Sequence, residues 1–170
     1  MDLAAYIRDV PNFPIEGILF KDITTLLQDH GAFREAIDAL VARYAGTQID
    51  KVAAIESRGF IFGAPLAYRL GSGFVPVRKP GKLPTQTVHV EYSLEYGTNT
   101  LEMHVDALQP GERVLIVDDL LATGGSARAV AQLVEMLQAT VAGMAFVIEL
   151  EFLHGREKLR DYDVFSLLKF

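Results

Sequence analysis

Residues 113–126 read RVLIVDDLLATGGS and combine three patterns that decide the fold. Residues 114–117 form a short apolar run rich in β-branched side chains, which is typical of a strand buried on both faces of a parallel sheet. Asp118 and Asp119 end this run with adjacent carboxylates. Beyond the turn at residues 122–126, apolar side chains recur with helical spacing at Ala127, Val130, Ala131, Val134 and Leu137. The segment therefore predicts a strand, an acidic pair, a glycine-rich turn and a helix.

The turn has the chemistry of an anion-binding site. The first N–H groups of a helix lack partners within it and lie at its positive end. Glycines let several N–H groups converge and keep Cβ atoms away from a ligand. We therefore expect a phosphate to bind to the backbone and hydroxyl groups of Ala122, Thr123, Gly124, Gly125 and Ser126.

Asp118 and Asp119 are expected to bind another part of the same ligand. Carboxylates repel a phosphate, but their oxygens suit hydroxyl donors or a divalent cation. A sugar phosphate satisfies both halves, with its diol on the aspartates and its phosphate on the turn. The alternative is a structural turn with solvated aspartates. The acidic pair at the end of a strand, where open α/β sheets bind ligands, favours the binding site.

Size and composition are those of one ordinary globular domain spanning residues 1–170, with half of the residues apolar and 22% charged. The net charge of −6 argues against non-specific nucleic-acid binding. There is no cysteine, which excludes disulfides and thiol nucleophiles. No signal peptide or membrane-spanning run is evident, so we expect a cytoplasmic protein with no membrane partner.

Strand and helix patterns alternate along the chain. Apolar strands are predicted near residues 52–55, 73–77, 114–117, 141–150 and 164–168, with helical periodicity between most of them. This order indicates βαβ units and a mostly parallel sheet. Residues 88–105 alternate in polarity around a turn and predict an antiparallel hairpin. At the N-terminus, Asp2 is expected to cap a short helix that ends before Pro11.

Several stretches resemble one enzyme family. The segment VLIVDDLLATGGS is similar to the phosphoribosyl diphosphate (PRPP) signature of type I phosphoribosyltransferases. ESRGF at 56–60, RKPGKLP at 78–84 and EYSLEYG at 91–97 resemble the adenine-specific branch of that family. The similarity runs from about Phe13 to the final FSLLKF. It implies an α/β fold of the type I phosphoribosyltransferase kind, with helices flanking the central sheet, a hood at about residues 1–30 and a mobile flap at about 79–105.

The resemblance also implies a reaction. The 5-phosphoribosyl group of PRPP would pass to adenine, giving AMP and diphosphate, in a homodimer. Mg²⁺ would be carried by PRPP rather than held directly by protein side chains. The four histidines are scattered and form no H-x-x-x-H pair, so we expect no protein-bound zinc.

Residue roles follow from the same resemblance. Diphosphate is expected on Ser57, Arg58, Arg78, Lys79 and Lys82, with Arg58 on the leaving group. Asp118 and Asp119 would orient the ribose diol. Without the resemblance, a surface ion pair between Arg58 and Glu56 and a solvated cationic loop remain open.

The base would lie between Phe20 and Leu120, with Leu121 as the alternative to Leu120, and backbone groups around Ile18 would bind its edge. Glu95 is expected to accept or donate the purine proton, with Tyr96 positioning it, and Glu91 is a weaker candidate. On composition alone, Phe20 is a core residue and Glu95 faces solvent.

Three other functions remain open. A PRPP-binding regulator would keep residues 118–126 but not need the flap cations and Glu95, which this chain retains. A phosphoacceptor receiver domain would not need the glycine-rich turn. A phosphoribosyltransferase for another purine is disfavoured only by the hood and flap resemblance.

Overall fold

The computed structural model describes residues 1–94 and 96–170, so Glu95 lies outside the described residues. The α-helices are α1 (Thr24–Gln28), α2 (His30–Tyr44), α3 (Arg58–Leu70) and α4 (Gly125–Met136). The strands are β1 (Arg8–Pro11), β2 (Leu19–Asp22), β3 (Lys51–Ile55), β4 (Gly73–Val77), β5 (Thr87–Ser93), β6 (Thr98–His104), β7 (Arg113–Leu121), β8 (Thr140–Glu149) and β9 (Val164–Lys169). Short 3₁₀ helices cover Leu3–Tyr6, Glu151–Leu153 and Gly155–Leu159.

The central sheet has five strands in the order β4-β3-β7-β8-β9. All four pairings in this sheet are parallel, which confirms the predicted α/β class. Residues 113–121 form β7 at the centre of the sheet, beside β3 on one side and β8 on the other.

Each face of the sheet carries its own apolar core, because successive side chains of a strand point to opposite faces. Val114 and Ile116 are fully buried with α4 and the hairpin of β5 and β6. Leu115 and Val117 are fully buried on the other face with α2 and α3. Helices α3 and α4 therefore leave the neighbouring strands β3 and β7 toward opposite faces. This reversal opens a crevice at the carboxyl ends of those strands, where α/β sheets bind ligands.

Strand β7 is longer than predicted. The sequence pattern placed its end before Asp118, but Asp118 pairs with Phe146 and Leu121 pairs with Glu149 of β8. The two acids interrupt the apolar pattern but not the backbone ladder, which needs no apolar side chain. They therefore lie on the central strand of the sheet rather than in a loop.

The predicted flap hairpin is present, with β5 and β6 antiparallel from Thr87↔His104 to Ser93↔Thr98. Leu101 and Met103 are almost wholly buried, and Val88, Val90 and Tyr92 pack against the same core. The base of the hairpin is thus a part of the folded core.

The N-terminal segment differs from its prediction. Asp2 does accept a hydrogen bond from the Ala4 N–H at 3.1 Å, but the helix ends at Tyr6. Residues 8–11 instead form β1, which pairs antiparallel with β2, and the facing residues Arg8 and Asp22 form an ion pair across the two strands. Among the described residues, no helix has the length and apolarity to cross a membrane.

Candidate functional site

Two adjoining cavities open at the carboxyl ends of β3 and β7. Their volumes are about 200 and 440 Å³. The two cavities share four lining residues, which are Arg58, Asp118, Asp119 and Ser126. The smaller one is otherwise lined mainly by residues 120–127, and the larger one by residues of the β3–α3 loop and the hairpin. The structure therefore brings the predicted phosphate, ribose and diphosphate groups to one crevice.

The glycine-rich turn is shaped as predicted. Gly124 adopts the left-handed conformation, with φ of 88°, and α4 begins at Gly125 without a side-chain cap. All five residues from Ala122 to Ser126 line the smaller cavity. The first N–H groups of this 12-residue helix are thus placed beside a space that suits an anion.

The acidic pair differs in environment between its two members. Asp119 is only 6% exposed and accepts a 2.6 Å hydrogen bond from the Arg58 Nε. Burial, together with the nearby Asp119 carboxylate, raises the pKa of Asp118 well above its usual range. The glycine at residue 59 leaves room for the Asp118 carboxylate, since a Cβ there would lie 2.9 Å from the Asp118 Oδ1. Arg58 thus pairs with Asp119 and not with Glu56 as the surface alternative supposed.

Glu56 is a site residue that the sequence analysis missed. It accepts hydrogen bonds from the Lys79 N–H at 2.6 Å, from Arg78 at 3.1 Å and from Lys82 at 3.3 Å. Burial acts to raise the pKa of Glu56, but these hydrogen bonds lower it below its ordinary value. The sequence does contain one indication of such a residue, because three cations within five residues (78–82) favour a nearby carboxylate as their partner. The Glu56-Ser57 peptide is cis.

The predicted diphosphate residues lie close together. Ser57, Arg58, Lys79 and Lys82 line the larger cavity. Arg78 lies beside them through its ion pair with the same Glu56 carboxylate. Glu56 therefore holds the start of the cationic loop beside the crevice, although residues 79–82 are themselves exposed.

The predicted adenine residues are not in one recess. Phe20 lines a cavity of about 240 Å³ in the hood, with its ring centroid 5.1 Å from that of Phe13, whereas Leu120 lines the smaller site cavity. Ile18 is 46% exposed. Its N–H donates to the Ile15 oxygen at 3.3 Å, and its oxygen accepts from the Phe13 N–H at 3.1 Å. The Ile18 oxygen keeps a second lone pair for a ligand, while its N–H already has a partner.

The hairpin contacts the turn directly. The Tyr92 hydroxyl lies 3.1 Å from the Ser126 Oγ, and Tyr92 also lines the larger cavity. This contact connects β5 to the start of α4. Tyr92 belongs to the stretch EYSLEYG, but nothing in that stretch predicts a contact with Ser126.

Metal-binding clusters are absent from the described part of the chain: no group of three or more His, Cys, Asp or Glu residues there could hold an ion. Carboxylates are nevertheless present in the crevice, since Glu56, Asp118 and Asp119 all line the larger cavity.

Comparison with known proteins gives one consistent family. Residues 24–169 match the sequence model of the phosphoribosyl transferase domain. The adenine phosphoribosyltransferase of Chloroflexus aurantiacus is 64% identical, covering 99% of this chain and 98% of that protein.

Solved structures similar to this chain belong to the same family. The adenine phosphoribosyltransferase of Thermoanaerobacter pseudethanolicus superposes with a TM-score of 0.97 at 57% identity, covering 99% and 98% of the two chains. The Saccharomyces cerevisiae enzyme, complexed with adenine and an imino-altritol bisphosphate, gives a TM-score of 0.93 at 46% identity, covering 98% and 97%. The chain therefore belongs to the adenine phosphoribosyltransferase family.

Proposed function

We propose that this protein transfers the 5-phosphoribosyl group of PRPP to adenine, producing AMP and diphosphate. The observation that carries this function is the shared crevice, in which an anion-binding turn, an acidic pair and a cationic loop adjoin. PRPP has the matching order of groups: a 5′-phosphate, a ribose diol and a diphosphate. The yeast relative, crystallised with adenine, supports adenine as the acceptor.

In this assignment the 5′-phosphate binds to the backbone N–H groups of residues 122–126, with the Thr123 and Ser126 hydroxyls as further donors. Asp118 and Asp119 accept hydrogen bonds from the ribose hydroxyls. Both halves lie on the rigid β7–α4 unit, so the sugar is oriented before reaction, and orientation of this kind lowers the barrier.

The leaving group requires positive charge. As diphosphate departs, the sugar carbon becomes electron-poor and the diphosphate oxygens gain charge. Arg58, Arg78, Lys79 and Lys82 would neutralise that charge, with Ser57 as a further donor. Closure of the outer flap over the crevice would exclude water, which would otherwise hydrolyse the activated sugar.

Magnesium stays a prediction for this site. The crevice fits a Mg²⁺–PRPP complex because it presents carboxylates beside the cationic groups. The cation would arrive with PRPP, and when bound it supplies further neutralisation of the diphosphate. We place no protein side chain on the metal itself.

Adenine is assigned to the region between the hood and β7. Phe20 and Leu120 would cover its two faces, and the Ile18 oxygen would accept from the exocyclic amine through the lone pair that the Phe13 N–H leaves unused. Since these groups lie in separate recesses, the base would bridge them, with the hood moving toward β7. The predicted homodimer and cytoplasmic location also stay predictions, and sedimentation analysis would test the dimer.

The direct test is nucleotide formation from PRPP and Mg²⁺ with each purine supplied separately. We expect AMP from adenine and little product from hypoxanthine, guanine or xanthine. A preference for another purine would contradict the base assignment. Tight PRPP binding without any product would indicate a regulator.

Replacing Glu95 with glutamine is expected to lower kcat by about 100- to 10,000-fold while leaving PRPP binding intact, because a positioned proton acceptor contributes that much. Steady-state kinetics with calorimetric PRPP titration would measure both quantities. Glu91→Gln tests the weaker candidate in the same assay. Because Glu91 is an exposed residue of β5, we expect that variant to keep its turnover. Unchanged turnover in the Glu95 variant would remove it from the proton-transfer role.

Replacing Tyr92 with phenylalanine should raise the KM for PRPP by about 2- to 10-fold. The variant loses the hydroxyl contact with Ser126, and one such hydrogen bond contributes about 0.5–1.5 kcal/mol. Tyr68→Phe serves as control because Tyr68 is 85% exposed on α3. An equal KM in both variants would show that this contact does not shape the PRPP site.

Binding of PRPP is expected to weaken as the pH falls through the raised pKa of Asp118. Hydroxyl donors bind the ionised carboxylate better than the protonated one, so PRPP binds more tightly above the pKa of Asp118. Below that pKa, PRPP binding is expected to release the proton that Asp118 carries. The phosphates of PRPP titrate in the same way in all variants, so the pH profile should be compared with that of Asp118→Asn. If the parent protein and Asp118→Asn gave pH profiles of the same shape, the assignment of Asp118 to the ribose hydroxyls would be contradicted.

A further inference from the structure

The anion-binding turn rests on the backbone of a distant segment. A Cβ on Gly124 would lie 2.5 Å from the Gly155 oxygen. In the reverse direction, a Cβ on Gly155 would collide with the Ala122 oxygen and lie 2.9 Å from the Leu121 Cδ1. Gly155 is buried, so the two backbones touch without any side chain between them. The position of the turn therefore depends on the position of residue 155.

An ion pair at the end of β8 fixes that position. Arg156, adjacent to Gly155, donates from Nε to the Glu149 Oε1 at 2.7 Å and from Nη2 to the Glu149 Oε2 at 2.9 Å. The same guanidinium donates from Nη1 to the Val164 oxygen of β9 at 2.9 Å. The Glu149 side chain is only 5% exposed. Arg156 is thus held on two strands of the central sheet by a planar, two-pronged contact that fixes its direction.

Stability alone does not account for this pair. The Glu149 carboxylate is buried, whereas the Arg156 side chain is 40% exposed. The cost of removing a charge from water offsets much of the attraction, and apolar replacements of buried pairs are often neutral or stabilising. A bidentate pair instead specifies geometry. Its neighbour in the chain is the residue that touches the phosphate-binding turn.

We propose that Glu149 and Arg156 are positioning residues for the 5′-phosphate of the substrate, acting by holding Gly155 against the turn formed by residues 122–124. This inference rests on the proposed function, because it assumes that the turn binds that phosphate. Neither side chain lines the two site cavities, so their effect on binding passes through the backbone of Gly155.

The test replaces both charged groups with apolar ones of similar size, Glu149→Leu with Arg156→Met. We expect a Tm close to that of the parent protein, a KM for PRPP raised by about 10- to 100-fold, and little change in the KM for adenine. Ribose 5-phosphate binding, measured by calorimetry without any turnover, should weaken by the same factor. Arg156→Lys keeps the positive charge but loses the two-pronged contact with Glu149. Its KM for PRPP should lie between those of the parent protein and the double variant.

The matched control is the exposed ion pair of Arg69 and Asp38, whose Nη1 and Oδ1 atoms are 2.7 Å apart on the outer surface of α3 and α2. Asp38→Asn with Arg69→Gln should leave both KM values unchanged.

Three outcomes would overturn the inference. These are unchanged ribose 5-phosphate binding in the apolar double variant, equal losses for PRPP and adenine, and a fully active Arg156→Lys variant alongside an unfolded double variant. Failure of the parent protein to bind ribose 5-phosphate would instead refute the proposed function.

Discussion

Asp119→Asn is expected to raise the KM for PRPP by about 100-fold or more. The substitution weakens two contacts at once, because Asp119 is assigned to the ribose and also holds the Arg58 Nε at 2.6 Å. A hydrogen bond to a charged group contributes about 1.5–3 kcal/mol, so loss of one such contact accounts for roughly 10- to 150-fold. The second contact adds to this, since Arg58 loses the charged partner that orients it toward the diphosphate.

The same variant should change the pH dependence. The Asp119 carboxylate is one cause of the raised pKa of Asp118, so its neutralisation moves that pKa down toward the ordinary range. The pH below which PRPP binding weakens should therefore fall. Asp163→Asn is the control, since Asp163 pairs with Arg43 on the surface at 2.7 Å. A KM for PRPP within twofold of the parent value would contradict the assignment of Asp119.

Gly124→Ala should nearly abolish activity. Its backbone has φ of 88°, a conformation that costs a residue with a Cβ about 1–2 kcal/mol. The added Cβ would also lie 2.5 Å from the Gly155 oxygen, so the turn must move away from its support. A displacement of about 1 Å at a binding group can cost about 100-fold in rate. We expect the KM for PRPP to rise by at least that factor.

Gly46→Ala is a control that separates the effect of backbone strain from the effect of the collision with Gly155. Gly46 has φ of 82°, but a Cβ there meets no atom within 4 Å. The control therefore carries the same backbone strain without the collision. Both variants should lose similar stability from strain, measured by denaturant unfolding, whereas only Gly124→Ala should lose activity. Retained activity in Gly124→Ala would show that the turn does not bind the substrate phosphate.

The fold was largely predictable because its elements have strong local patterns. Alternation at residues 88–105 and helical spacing after Ser126 reflect one-sided burial, and both elements form as predicted. Boundaries failed where tertiary pairing overrides the pattern. Asp118 and Asp119 looked like a strand end but continue the ladder with β8, and Arg8 and Asp9 form a strand only because β2 lies opposite.

The candidate site could be inferred from the sequence where one segment contains several of its groups, and its residue roles stay predictions. The turn at residues 122–126 and the two aspartates follow each other in the chain, so their shared chemistry could be inferred. Glu56 and Gly155 could not be assigned in this way. A single glutamate has no distinctive local pattern, and the need for glycine at residue 155 arises from an oxygen more than thirty positions away in the chain. Glu95 lies outside the described residues, so its role stays a prediction.

Glu56 has a consequence for the end of the catalytic cycle. When a multiply charged anion leaves a cationic loop, the cations lose their partner. The electrostatic cost of leaving them unpaired slows the departure of the anion. Here Arg78, Lys82 and the Lys79 amide all donate to the Glu56 carboxylate, at distances of 3.3 Å or less. On the proposed assignment, the carboxylate takes over these donors as diphosphate withdraws. On that assignment the protein carries its own substitute anion, and we expect diphosphate to leave faster with Glu56 in place than without it.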